Sequence, residues 1–249
     1  MRITFLGTSH GIPEKDRFCS CTMIEVGENL YFIDAGAPIV DLIIRSGRKV
    51  EAAKALFTTH CHSDHTNGIV GFADIINWYY KKASVDIYMT EEKHTEATVS
   101  LIETASHLAL DRERVRFKVI DEGFVYDDGN IKVTAFPTEH LNRGTFRHPS
   151  FGYIVEADGK RAVFSGDLSN KLKYEDFPKI ALEEDVDLLV CEMAHFKIAD
   201  IAPYLEKCKT KKLLFNHVGY TESFDSLKEL DGKYPYPVGL ALDGDTIEL

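Results

Sequence analysis

The sequence predicts an α/β protein in which two sheets pack face to face with helices on their outer sides. Three observations carry this. Segments of strand length and β-rich composition come in two batches, one in each half of the chain. Segments with helical spacing of apolar residues accompany each batch. A sheet and a helix each bury one face against another layer, so two such batches are satisfied by two stacked sheets covered by helices.

The elements follow in order. Residues 2–6 form a strand that enters a Gly/Pro loop over 7–13. Residues 21–26 and 29–33 are strands joined by a turn at Gly27-Glu28. Residues 40–46 read as a short helix, and the apolar strand 55–59 delivers His60. Ile69, Phe72, Ile75, Ile76 and Tyr79 recur at helical spacing, which predicts a helix over 69–83 with Trp78, Tyr79 and Tyr80 packed in the core. Residues 85–89 are a strand, and 91–110 a long helix with acidic residues in its first turn, where the helix dipole favours them. Strands follow at 116–120, 123–126 and 131–136, the last two joined by Asp128-Gly129-Asn130. In the second half, 152–156 and 162–165 are strands around Asp158-Gly159. Residues 187–191 and 213–216 are apolar strands flanking a helix over 198–208. Residues 240–242 and 246–249 read as a closing hairpin over Asp243-Gly244-Asp245. No repeat, linker or low-complexity tract interrupts the chain, so residues 1–249 are expected to form one domain.

Charge and cysteine usage narrow the setting. A net charge of −11 disfavours a protein built mainly to grip long nucleic acid. The lysine clusters at Lys81-Lys82, Lys171/Lys173 and 207–212 read as solvated faces. Five cysteines cannot all pair, and residues 1–9 read as a strand rather than a leader, so free thiols and the cytoplasm are expected. No apolar run approaches the ~20 residues that cross a bilayer, so no membrane partner is expected. A homodimer remains open.

The chemistry concentrates in Thr59-His60-Cys61-His62-Ser63-Asp64-His65. Imidazole nitrogens and carboxylate oxygens are the donors that divalent zinc takes. Three histidines and an aspartate in six positions after a buried-type strand suit a pair of ions, with Cys61 pointing away from them. His60-x-His62-x-Asp64-His65 resembles the hallmark of the metallo-β-lactamase-fold hydrolases. Further ligand-type residues stand at strand ends in the order that fold uses: His140 after Phe136-Pro137-Thr138-Glu139, Asp167 after Ser165-Gly166, and His217 after Phe215-Asn216. Asp34 in Phe32-Ile33-Asp34-Ala35-Gly36 matches the family's supporting aspartate. The resemblance implies a four-layer αββα sandwich of two packed mixed sheets. It implies two divalent metal ions, zinc above all, with manganese or iron(II) compatible with the same donors. His60, His62 and His140 would bind the first, Asp64, His65 and His217 the second, and Asp167 both. His148 competes with His140 for the third position and otherwise becomes a substrate contact.

Two ions lower the pKa of a shared water to near neutrality. A proton must still reach the leaving group. Asp64 could share that work, and His195, oriented by Glu192, is the candidate acid. Glu192 and His195 resemble the ribonuclease Z branch. So does the opening Phe5-Leu6-Gly7-Thr8-Ser9-His10-Gly11-Ile12-Pro13, followed by Arg17 and Ser20, which is similar to ribonuclease Z-like and cyclic-phosphodiesterase-like members. Ser9 is a candidate substrate contact, and the loop glycines could present amides to an anion. Ribonuclease Z commonly carries a long arm for transfer RNA between the third and fourth metal motifs, and His140 and Asp167 stand too close in sequence for one. The expected activity is therefore a dinuclear phosphodiesterase acting on a small phosphodiester or nucleotide. A ribonuclease Z-like RNA endonuclease, or a lactone or thioester hydrolase on the same site, is the alternative.

Overall fold

The computed structural model describes residues 1–249 and contains two seven-stranded sheets. In the first, β1 (Arg2–Gly7), β2 (Cys21–Val26) and β3 (Asn29–Ile33) run antiparallel. From β3 onward the strands are parallel, through β4 (Ala53–Phe57), β5 (Val85–Met89) and β6 (Val115–Val119). The helices of this half are α1 (Ile39–Arg45), the single turn α2 (Ser63–Thr66), α3 (Ile69–Trp78) and α4 (Glu92–Ser106). In the second sheet β7 (Val125–Asp127), β8 (Lys132–Pro137), β9 (Phe151–Ala157) and β10 (Lys160–Phe164) form an antiparallel meander. It continues in parallel through β11 (Leu188–Met193), β12 (Leu213–Val218) and β13 (Val238–Leu240). Helices α5 (Ile180–Glu183), α6 (Ile198–Leu205) and α7 (Phe224–Lys228) belong to this half.

Strand alternation explains the layers. Successive side chains of a strand face opposite ways. Along β3, Tyr31 and Ile33 enter a core shared with Tyr153, Val155, Phe164 and Val190 of the second sheet. Leu30 and Phe32 enter a different core with Ile43, Phe72, Ile76 and Ile102 of the helices. On the far side Val163, Leu189, Cys191 and Phe215 pack with Phe177, Ile201 and Leu227. Three apolar layers between four layers of backbone are the expected αββα order, and they explain why the central strands read as continuous apolar runs.

The structure corrects several boundaries. The helix expected over 91–110 ends at Ser106, because His107 turns left-handed at φ +52 and Glu103 Oε1 takes the Leu110 amide. The helices expected to reach 83 and 208 end at Trp78 and Leu205. Trp78 and Tyr79 are not core: they are 51% and 63% exposed, and Tyr80 alone packs against the helix layer. The closing hairpin is also overturned. β13 pairs with β12 in the second sheet, whereas β14 (Thr246–Glu248) pairs antiparallel with β1 in the first. The Asp-Gly turn thus carries the chain from one sheet to the other. Asp243 fastens it there, accepting hydrogen bonds from the Thr8 hydroxyl at 2.7 Å and the Phe18 amide at 2.6 Å. No helix is long and apolar enough to cross a membrane.

Candidate metal centre

In sheets of this kind the crevice lies beyond the carboxyl ends of the strands. Each ligand-type residue stands at such an end. β3 is followed by Asp34, β4 by Thr59 and His60, β8 by His140 and β10 by Asp167. β11 carries Glu192 and leads to His195, and β12 carries His217.

Local structure aims each side chain. His62 caps α2 in an extended conformation, and this one turn buries Asp64 and His65 while leaving His62 at the surface. The turn lies so close to the loop after β3 that a Cβ on Gly36 would fall 1.7 Å from the Asp64 carbonyl oxygen. Gly166, at φ +59, lets the chain pass the Phe151 carbonyl and present Asp167. His217 is the extra residue of a bulge in β12: Glu192 pairs with Asn216 and Met193 with Val218, and His217 takes φ +51 between them. Bulges re-aim side chains in this way.

The donor atoms converge. His60 Nε2, His65 Nε2, His140 Nε2 and His217 Nε2 lie 3.9, 3.6, 3.7 and 3.3 Å from Asp167 Oδ2. Asp64 Oδ2 lies 3.3 Å from His65 Nε2 and 3.8 Å from His217 Nε2. Two donors at about 2.1 Å from one tetrahedral ion sit about 3.4 Å apart, so this spacing suits shared cations. His60, His62 and His140 make one compact group; Asp64, His65 and His217 make another. His60 Nε2 and His65 Nε2 are buried with no hydrogen-bond partner, a costly state that a bound cation relieves. The residues present therefore fit metal.

The other ring nitrogens are held. His65 Nδ1 meets Asp34 Oδ2 at 2.7 Å, and Asp34 also accepts from the Thr59 amide at 2.7 Å. His217 Nδ1 meets the Ser20 hydroxyl at 2.8 Å, and His140 Nδ1 the Leu168 carbonyl at 3.3 Å. Such contacts set the tautomer and ring direction of a ligand histidine. Burial holds the pKa of His60 and His140 below the ordinary value, and partial desolvation of the His62 ring does the same there, so they stand ready as neutral donors. Burial opposes charge on His65 too, yet the carboxylates of Asp34 and Asp167 raise it well above the ordinary value. Burial works against ionising Asp64 and Asp167. The neighbouring His65 and His217 nonetheless keep both below the usual carboxylate range.

Among the other predicted residues, Glu192 Oε1 lies 2.9 Å from His195 Nδ1 and also accepts the Leu168 amide at 2.9 Å. His195 is thus tied to the loop that carries Asp167. Cys61 faces away, its sulfur 3.1 Å from the Thr90 hydroxyl. His148 does not join the cluster; it is more than half exposed, with Nδ1 3.2 Å from Glu91. Ser9 is fully buried and donates to the Ile12 carbonyl at 2.6 Å, so its hydroxyl shapes the loop rather than facing a substrate. The Gly11 amide, expected to meet an anionic substrate, donates instead to Asp64 Oδ2 at 2.9 Å.

Sequence reasoning missed Asp176. Its Oδ2 accepts from the amides of Glu139 at 2.9 Å and Ser169 at 2.8 Å, and its Oδ1 accepts the Ser169 hydroxyl. It therefore clamps the loop bearing His140 to the loop bearing Asp167. It lies in irregular chain before Phe177-Pro178, where no periodicity or spacing marks it. Asp176→Asn is expected to weaken metal binding by about 10–100-fold, as loss of groups that support ligands does. Competition with a chromophoric chelator measures this; unchanged affinity would remove Asp176 from the site.

Known proteins share this architecture. Residues 1–235 match the family described as anti-Pycsar protein Apyc1. Ribonuclease Z of Prochlorococcus marinus (strain NATL1A) is 29% identical over 159 residues, which cover 62% of this chain and 49% of that protein. The chain thus spans about half the length of this relative. The metallo-β-lactamase-fold protein YhfI of Bacillus subtilis superposes with a TM-score of 0.77 at 17% identity, over 99% of both chains. A diphosphatase from the PhnP family gives 0.72 at 17% identity, over 100% of this chain and 98% of its own. Likenesses at these identities establish the fold, which is the metallo-β-lactamase fold.

Proposed function

This chain belongs to the family of anti-Pycsar protein Apyc1, and on that premise we propose that it is a dinuclear metal-dependent phosphodiesterase acting on a small phosphodiester or nucleotide, cyclic phosphates included. The observation that carries this reading is the pair of donor groups around Asp167, with buried imidazole nitrogens that nothing else satisfies. His60, His62 and His140 would hold one ion, Asp64, His65 and His217 the other, and Asp167 would touch both. When bound, two divalent cations, zinc in this reading, supply an acidified water and polarise the phosphoryl oxygen.

The chain's own residues do the rest. Asp34 and Ser20 fix the rings of His65 and His217. Asp64 is kept ionised by its histidine neighbours and the Gly11 amide, which makes it a better ligand than acid. Glu192 engages His195 through Nδ1 and leaves Nε2 as the free donor for the departing oxygen. Both sheets contribute to one core, which supports reading residues 1–249 as a single domain. The free thiols fit action in the cytoplasm.

The likeness to ribonuclease Z favours a second reading, an RNA endonuclease. The short connection from His140 to Asp167 and the net charge of −11 weigh against it. Metal analysis of the native protein, followed by a panel with that metal restored, tests the proposal. The panel holds bis(p-nitrophenyl) phosphate, 2′,3′- and 3′,5′-cyclic nucleotides, precursor transfer RNA, a lactone and a thioester. Turnover of small phosphodiesters is expected. Hydrolysis confined to RNA, or to the lactone or thioester, would overturn the reading.

A further inference from the structure

The chain between His140 and β9 is a short hairpin whose tip is basic and aromatic, in a protein that is otherwise acidic. It is built rather than slack. Asn142 and Arg147 pair in antiparallel fashion, the Arg143 amide donates to the Phe146 carbonyl at 2.9 Å, and Gly144 turns at φ +77. Its base is fixed to the loop bearing His140. Leu141 is buried, Asn142 Nδ2 donates to Glu139 Oε2 at 2.9 Å, and Arg147 pairs with Glu139.

The charged groups of this hairpin have different fates. Arg147 is neutralised by Glu139 and His148 faces Glu91. Arg143 makes no ion pair; it is exposed and stands three residues beyond His140, on the hairpin whose base is fixed to that residue's loop. Beside it Phe146 is 69% exposed. A cation at the rim of a site that collects divalent ions is repelled by them unless an anion lies between. An exposed aromatic ring there has no core to join.

We propose that Arg143 and Phe146 are the substrate-recognition element of this enzyme: the Arg143 guanidinium binds a phosphate oxygen that the metals leave free, and the Phe146 ring stacks on a planar group carried by that phosphate. The inference rests on the phosphodiesterase reading for its substrate and on the hairpin for its residues. Guanidinium forks match phosphate oxygens, and aromatic rings accept any base face without reading its edge. The ligand is thus a phosphate bearing a planar base, with recognition that tolerates changes of base.

The test uses the metal-loaded protein and two probes, inorganic phosphate and adenosine monophosphate, with binding measured by calorimetry beside turnover. Arg143→Ala is expected to weaken both probes and raise KM about tenfold, with metal content unchanged and partial rescue in Arg143→Lys. Phe146→Ala is expected to weaken adenosine monophosphate about fivefold or more and leave inorganic phosphate alone, with Phe146→Trp restoring it. Normal binding of both probes in both alanine variants overturns the inference, even if wild-type protein hydrolyses phosphodiesters. Variant-sensitive binding in a protein that hydrolyses none overturns the activity and leaves the recognition element standing.

Discussion

An Asp167→Ala protein is expected to lose turnover by more than about a thousandfold and to carry fewer than two ions. Asp167 Oδ2 is the one carboxylate oxygen within 4 Å of donor nitrogens from both groups, His60 and His140 on one side, His65 and His217 on the other. On the proposed two-ion reading, removing it would deprive both positions of a charged ligand. The electrostatic help of bound cations amounts to several kcal/mol at the transition state, and ~4 kcal/mol is ~1000-fold in rate. The buried side chains that remain are mostly imidazoles, which must then share their position with water. Metal content by mass spectrometry and kcat/KM on the best substrate read the outcome. A variant that kept two ions and a rate within tenfold of wild type would place the centre elsewhere.

The second large effect is expected at His195. Its alanine variant should keep its metals and lose about 10²–10⁴-fold in kcat on a substrate with an alkoxide leaving group. It should lose far less on a p-nitrophenyl ester, whose leaving group needs no proton. Equal losses on both substrates would exclude the acid role. Burial disfavours charge on His195, but the Glu192 carboxylate outweighs it, with Asp167 adding to the effect, and raises the pKa to about 9 in the metal-free protein. A raised value means the imidazolium persists through neutral pH and is lost only as pH climbs through about 9. Glu192→Gln should return the titration toward the ordinary value of about 6.5, visible by NMR in the metal-free protein.

Much of this architecture was legible because local signals and tertiary demands agree. The hairpin of β2 and β3 could be read from alternation around Gly27-Glu28, and the loop after β4 from the density of donors in six residues. His140, Asp167 and His217 could be named only because each ends an apolar strand; nothing local states that they meet. The failures share one cause. The Asp243 turn carries hairpin residues, but pairing is decided by which sheet has a free partner, and its two flanks found different ones. Tyr79 follows the helical spacing, yet the helix ends at Trp78 and both rings are left in solvent. Ser9 and Gly11 resemble a ligand-binding loop, but their polar groups are consumed by Ile12 and Asp64. Asp176 acts through two backbone amides and one hydroxyl, contacts that leave no trace in composition or period.

The crossing of the chain after β13 has a mechanical meaning. Its short span supplies one of the two edge strands of each sheet, and Asp243 anchors it to the loop that carries Thr8 and Phe18. Shortening the protein by this tail would strip two backbones at once and leave a row of unpaired amides on each, the geometry that invites one molecule to add to another. The final residues thus leave each sheet with a three-residue strand at that edge in place of the six-residue strand behind it, and a short edge offers less to pair with.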